Sequence, residues 1–290
     1  MAPPDVVRTR PGQSTEQVPR LGLMLLWLAG AGLASAARAP VTLYDFLGQD
    51  ASPSQGRVVH PDFRLEPRAH PTPGLVQSQL VGFARPGFES TGGPIHPQLT
   101  TPENFDSWYV PDPRYNVQIN TTVEMSRIRH NQWQINYLNG FFPLDGLGLG
   151  DYENTGHNSH FTLSYQRDFA FSSQEYNQFE FASDDDLWVF VNGRLWIDLG
   201  GIHSLTRVTR DLAADAAALG LVDGGVYNFS LFYAERHTPG AAFLVTLPPI
   251  PEARSLGPLV GIGGVVGMQW MVGRRRRQRG NPLINAAQGR

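Results

Sequence analysis

The 290-residue sequence contains no cysteine and no lysine. The first absence removes disulfides, thiolate metal ligands and cysteine nucleophiles together. The second leaves arginine as the one strong base, a bias that points to a GC-rich bacterial genome more than to an activity. With a net charge of −3 and an isoelectric point near 6.2, no global basic field exists, which excludes nucleic acid as a partner. Catalytic signatures are missing too: there is no Gly-x-Ser-x-Gly elbow and no His-Glu-x-x-His. The run "GLGLG" at 146–150 lacks the strand and helix that a phosphate loop needs. The chain is therefore read as a non-enzyme.

What remains is a globular composition, 41% hydrophobic and 11% aromatic, bracketed by two segments of a different kind. Arg8, Arg10 and Arg20 precede an apolar run from Leu21 to Leu33 that ends in Ala34-Ser35-Ala36. A basic start, a short apolar stretch and a small-residue ending make residues 1–36 a secretory signal peptide, with the mature chain beginning near Ala37. At the other end, Leu256 to Val272 is apolar and is followed by Arg274 to Arg277. About 17 residues is the short limit for spanning a bilayer, and the arginines would hold the far side in the cytoplasm. A water-soluble helix is disfavoured there, because each of its glycines costs about 1 kcal/mol.

This tail resembles the PEP-CTERM sorting signal, with Pro251-Glu252-Ala253 in place of Pro-Glu-Pro and "GNPLINAAQGR" continuing past the arginines. The resemblance implies recognition by an exosortase-type processing protease and a membrane association through the C-terminal transmembrane helix. Residues 250–279 are accordingly read as a sorting or anchor segment and 280–290 as a tail.

Between 37 and 249 the apolar runs are short. Strands are predicted over Val117–Ile128, Gln132–Tyr137, Phe161–Tyr165, Tyr176–Phe181, Leu187–Val191, Leu195–Leu199, Tyr227–Ala234 and Phe243–Leu247. One short helix is predicted over Asp211–Gly220, closed by its glycine. Many short strands with almost no helix define an all-β antiparallel β-sandwich. Asn192-Gly193 supplies the positive φ angles of a tight hairpin between Leu187–Val191 and Leu195–Leu199. Both faces of its first strand are apolar, so that strand should be covered on both sides.

Several blocks resemble the fibro-slime domain family: "HPDF" at 60–63, "NFDSWY" at 104–109, "NGFFPLDG" at 139–146, "GHNSHFTL" at 156–163, "SDDDLWVFVNGRLWIDLGGIH" at 183–203 and "LFYAERHTPGAAFLVT" at 231–246. They occur in family order. The resemblance implies a β-sandwich of the protective-antigen type, an exported, cell-surface or extracellular location, and binding of exopolysaccharide or a cell-surface glycan. A glycan-processing enzyme and a purely structural matrix protein are the competing readings. The enzyme would need two carboxylates about 5–9.5 Å apart across a cleft.

The run Asp184-Asp185-Asp186 is the densest negative charge in the body of the chain. Strand alternation would put Asp184 and Asp186 on one face and Asp185 on the other. Three readings stay open: a polar turn into an apolar strand, a Ca2+ site built from hard oxygen donors, and carboxylate chemistry on a substrate. Calcium-binding flocculin lectins, related to the same superfamily, join two adjacent aspartates by a cis peptide, and Asp184 and Asp185 resemble that pair, the implied metal ligands. Asp186, Asn192, Trp196, Asp198 and His203 complete the candidate ligand-binding set. Trp108, Tyr109, Trp133 and Trp196 are either core or a sugar-stacking platform. "ERH" at 235–237 is read as an arginine–carboxylate network with the triplet. His157 and His160 are too poorly spaced for zinc.

Overall fold

A computed structural model describes residues 36–82, 84–89, 98–151, 155–238 and 240–249. The chain divides into two units, Met1–Ile250 and Pro251–Arg290. The segments expected to be a signal peptide (1–36) and a sorting or anchor segment (250–279) lie outside the described residues, except for Ala36, which begins the first strand. Among the described residues no helix is long and apolar enough to cross a membrane.

Among the described residues ten strands form the fold: β1 (Ala36–Phe46), β2 (Asn116–Arg129), β3 (Gln132–Tyr137), β4 (Phe161–Ala170), β5 (Gln178–Asp184), β6 (Asp186–Val191), β7 (Arg194–Leu199), β8 (Thr206–Asp211), β9 (Val226–Glu235) and β10 (Ala242–Leu247). Two short helices join them, α1 (Pro102–Asp106) and α2 (Leu212–Leu219). All eight strands predicted from sequence are present, several with extended ends. The strands β1 and β8 and the helix α1 were not predicted.

All strand pairs are antiparallel, in one continuous sheet of order β7-β6-β9-β4-β1-β2-β3-β10-β5-β8. The expected two-sheet sandwich is therefore realised as a single sheet folded over on itself. Tyr233 of β9 meets Phe243 of β10 at 4.8 Å between ring centroids, and Trp196 of β7 meets Phe181 of β5 at 5.4 Å, so non-adjacent strands face one another across the core. Helix α2 bridges the two edge strands. Its Asp215 accepts from Trp196 Nε1 on β7 at 2.8 Å and from Arg210 Nε on β8 at 3.0 Å. Asp211 caps its N-terminus and Gly220, at φ 71°, its C-terminus.

The alternation of β6 is legible in its packing. Leu187, Val189 and Val191 enter the core inside the fold, with Leu43, Leu163, Leu231 and Phe243. Trp188 and Phe190 enter a second core, with Phe46, Phe63, Trp108 and Phe232, under the loops that precede β2. Every residue of β6 is buried, as its two apolar faces require. The hairpin turn holds Asn192 at φ 53° and Gly193 at φ 71°.

Candidate functional site

The aspartate triplet does not run on as one strand. β5 ends at Asp184 and β6 begins at Asp186, the peptide between Asp184 and Asp185 is cis, and the two strands pair with different partners. Period-two alternation therefore stops there, and the predicted sharing of a face by Asp184 and Asp186 is corrected. Asp185 and Asp186 are buried together and Asp184 is half-buried.

Arg236, just past the end of β9, is the centre of the cluster. Its Nε donates to Asp186 Oδ2 at 2.7 Å and its Nη2 to Asp186 Oδ1 at 3.0 Å, a two-point ion pair with both side chains fully buried. Nη1 donates to the carbonyls of Asp62 at 3.0 Å and Gln98 at 2.7 Å. The guanidinium lies 4.8 Å from the centre of the Trp108 ring. The arginine–carboxylate network expected from "ERH" is thus present. The "HPDF" and "NFDSWY" blocks reach the same place: Asp62 accepts from Thr100 N at 2.7 Å and from Trp108 Nε1 at 3.2 Å.

Asp185 holds backbone. Its Oδ1 accepts the His203 amide at 3.1 Å and its Oδ2 the Arg236 amide at 2.9 Å. Asp186 Oδ1 also accepts the Gly201 amide. Burial, and then the neighbouring Asp186 charge, push the Asp185 carboxyl well above the usual range. Burial, with the Asp185 and Asp184 charges behind it, does the same to Glu235.

The contacts at Glu235 accommodate a proton. The Tyr233 hydroxyl lies 2.7 Å from the carbonyl of Asp184 and 2.9 Å from Glu235 Oε2. It has one hydrogen to give. With that hydrogen on Glu235 Oε2 the hydroxyl donates to the acid; with it on the carbonyl, a neutral Glu235 would satisfy the second contact by donating its own proton.

Asp184 is the carboxylate of the triplet that meets solvent. Burial raises its carboxyl and the adjacent His203 opposes that shift. Beside its Oδ2 stands Gly240, where an added Cβ would lie 3.3 Å away, so the glycine leaves a cradle open at this oxygen. Each Asp185 oxygen, engaged by one amide, keeps a second lone pair. Carboxylate oxygens of this kind are the hard donors that calcium takes. Among the described residues no group of three or more His, Cys, Asp or Glu side chains is gathered to hold a metal, so further ligands would come from carbonyls, amides, water or a bound hydroxyl.

The other sequence candidates fall into three places. His203 is in the cluster through its amide, and its ring nitrogens face the carbonyls of Ser204 at 2.9 Å and Leu199 at 3.1 Å. Asp198 is next door, accepting from Trp188 Nε1 at 3.0 Å and the Gly74 amide at 2.8 Å. Asn192 and Trp196 are removed from the site: Asn192 sits in the hairpin turn with its amide donating to the Leu219 carbonyl, and Trp196 is core. Trp108 and Tyr109 are buried and Trp133 packs against the core, so these aromatics do not form an exposed platform. His157 pairs with Asp145 and His160 with Asp50. Sequence reasoning missed Tyr233, Gly240 and Asp62, whose partners Asp184 and Arg236 in the cluster are 49 or more positions away.

Fold and site together define an all-β antiparallel module whose one pole is organised by buried carboxylates around a single arginine. A model of the PA14 domain matches residues 153–250, a span that holds Asp184, Asp185, Asp186 and Arg236. Protein psiQ of Dictyostelium discoideum is 34% identical over 210 residues, covering 68% of this chain and 20% of that protein. Protein psiR of the same organism is 33% identical over 205 residues, covering 65% and 19%. The chain spans about a fifth of the length of these curated relatives. A solved α-xylosidase from Xanthomonas citri overlaps 49% of the chain and 13% of its own at 12% identity, with a TM-score of 0.25.

Proposed function

We propose that the chain is an exported bacterial surface or extracellular-matrix module that binds carbohydrate through the acidic pole, with Ca2+ held at Asp184 and Asp185. The observation that supports this reading best is the PA14 domain match over 153–250, since PA14 domains bind glycans in general and the match contains the whole triplet. In this reading the chain is a fibro-slime branch of that superfamily, as the resemblance of its sequence blocks implies. The buried members of the pole do structural work: Asp186 and Arg236 lock β6 to β9, and Asp185 fixes the 200–203 loop. Asp184 and the cradle at Gly240 are left for the ligand. A bound calcium would supply a point of attachment for vicinal sugar hydroxyls. Delivery runs through the N-terminal signal peptide and an exosortase-type protease acting on the C-terminal segment.

The test is calorimetry and thermal unfolding with calcium, followed by a glycan array with and without chelator. At 100 times its dissociation constant, calcium should raise stability by about 2.7 kcal/mol. Asp184→Asn should blunt both the calcium response and glycan capture. No heat and no thermal shift at millimolar calcium would remove the metal from this reading, and no chelator-sensitive glycan would remove the pole as the binding site.

A further inference from the structure

The strands β1 and β2 pair along their whole length, from Ala36 opposite Ser126 to Phe46 opposite Asn116. The strands β2 and β3 do not. Their pairing is confined to Ser126–Arg129 against Gln132–Gln134, after which they part. Where they part, the Tyr137 hydroxyl reaches back and accepts the amide of Glu124 at 3.1 Å. That contact shows which way the Glu124 peptide faces, and Thr122, two residues away on the same strand, faces the same way. Thr122 is paired with Pro40, which has no N–H to give, in keeping with a position whose backbone groups point away from β1. Among the described residues the result is a stretch of open strand edge in the middle of a sheet.

A cavity of about 540 Å³ occupies the gap. Tyr137 and Phe142 line it together with Arg38, Glu124 and Asp145. Phe142 is held flat: its ring stacks on His157 at 3.9 Å and 6°, and His157 Nδ1 is in turn fixed by Asp145 Oδ2 at 2.7 Å. A second cavity of about 590 Å³ lies on the other side of the same β2 residues and shares Thr121 and Thr122 with the first. Its polar lining is Thr42, Asn120, Ser164 and Gln166, with no charged side chain. Neither cavity contains a residue of the Asp184–Arg236 cluster.

We infer that these two cavities are one binding groove for an uncharged oligosaccharide, lying across β2 with a sugar ring stacked at Phe142 and Tyr137. A fixed aromatic plane offers the apolar face of a pyranose its partner. Open backbone N–H and C=O groups, hydroxyls and amides are what sugar hydroxyls pair with, since each is both donor and acceptor. The charge balance selects against acidic sugars. One half of the groove is neutral, and in the other Arg38 lies 3.8 Å from Glu124, leaving no unmatched cation for a uronate or sulfate. The volumes are those of ordinary ligand sites. This groove rests on the carbohydrate-binding reading above and adds to it a site that needs no metal.

The experiment titrates the full chain, in chelator, with cellotetraose, laminaritetraose and mannotetraose, using calorimetry and ligand-observed saturation-transfer NMR. At least one should bind, and Glu124→Arg, which fills the groove from an exposed position, should weaken it by about tenfold or more, a loss above 1.4 kcal/mol. Phe142→Ala should do the same if its far-UV spectrum and melting curve show it folded. Val222→Ala, at an exposed position that lines neither cavity, should leave chelator-resistant binding unchanged. Binding that survives Glu124→Arg and folded Phe142→Ala overturns the groove, as does failure of all three sugars to bind. Glycan capture lost only in Asp184→Asn overturns the groove and leaves the acidic pole standing. Loss only in the groove variants does the reverse.

Discussion

Arg236 and Asp186 face each other through two hydrogen bonds of 2.7 and 3.0 Å with neither side chain exposed to water. Such a pair is costly to bury and costlier to break, because removing one partner leaves the other charge uncompensated. Arg236→Met should therefore destabilise the fold by about 3–5 kcal/mol in denaturant unfolding. The paired change Asp186→Leu with Arg236→Met should cost less than the sum of the single changes, since the two act as one unit. A single-variant loss below about 1 kcal/mol would show that the arginine's contacts with the Asp62 and Gln98 carbonyls contribute little.

Glu235 makes a second prediction through its proton. Glutamine reproduces the neutral acid: its oxygen accepts the His237 amide, 3.3 Å from Glu235 Oε1, and its NH2 donates to Tyr233. Glu235→Gln should change stability by less than about 1 kcal/mol at acid pH, where Glu235→Ala should cost about 1–3 kcal/mol. Because the folded-state value is raised, the native acid's contribution is full below the ordinary carboxylate range and is lost as pH rises through that value. The Gln variant should gain on the native protein from pH 4 to pH 8. An identical pH dependence of melting in the two proteins would show that Glu235 is ionised.

Much of this was legible in the sequence, for local reasons. The β6–β7 hairpin follows from Asn-Gly between two apolar runs, and α2 from an aspartate cap and a terminal glycine. The strand β1 was missed because it starts in Ala-Ala-Arg-Ala-Pro, with little β-branching, and β8 because Thr-Arg-Val-Thr-Arg-Asp is an exposed edge with alternating exposure. The triplet stood out in the sequence, and the structure gathers Asp185 and Asp186 around Arg236, but the face-sharing expected of Asp184 and Asp186 does not occur. Alternation presumes a continuous strand, and the chain leaves one part of the sheet for another between Asp184 and Asp186. Trp196 and Asn192 are close to the triplet in sequence and distant in role, since an antiparallel hairpin carries its turn to the opposite end.

Gly193 allows a test of the hairpin without a packing change. An added Cβ there meets nothing within 4 Å, so the penalty of a side chain is that of φ 71° alone. Gly193→Val should lower stability by about 1–3 kcal/mol. Gly193→Asn should cost distinctly less, because asparagine tolerates the left-handed region. Equal melting temperatures for native, Val and Asn forms would rule out the turn conformation.

The carboxylate of Asp45 on β1 is buried against a glycine-rich loop. It accepts the Leu149 amide at 2.5 Å and the Asn158 side-chain amide at 3.0 Å. Burial pushes its value up to about 7. The Leu149, Asn158 and Phe46 donors oppose that rise and the Asp151 charge adds to it. The folded state thus holds a proton that the unfolded chain releases near 3.8, so stability is fully present below about pH 3.8 and is lost as pH rises to about 7. Three pH units correspond to a loss on the order of 4 kcal/mol at most. Asp45→Asn should flatten the melting temperature across that window, and an unchanged slope would place the pH dependence elsewhere. Gly148 is what lets the loop come this close. It has φ +61°, and a Cβ on it would lie 2.0 Å from Asp45 Oδ2, so even alanine must push the loop off the carboxylate and break the Leu149 contact. Gly148→Ala should cost about 2–4 kcal/mol, from the positive φ and the lost hydrogen bond together. It should also shrink the pH slope, because an Asp45 opened to water no longer carries a raised value. A Gly148→Ala protein as stable as the native one, with the same slope, would mean that the loop does not press on Asp45 in solution.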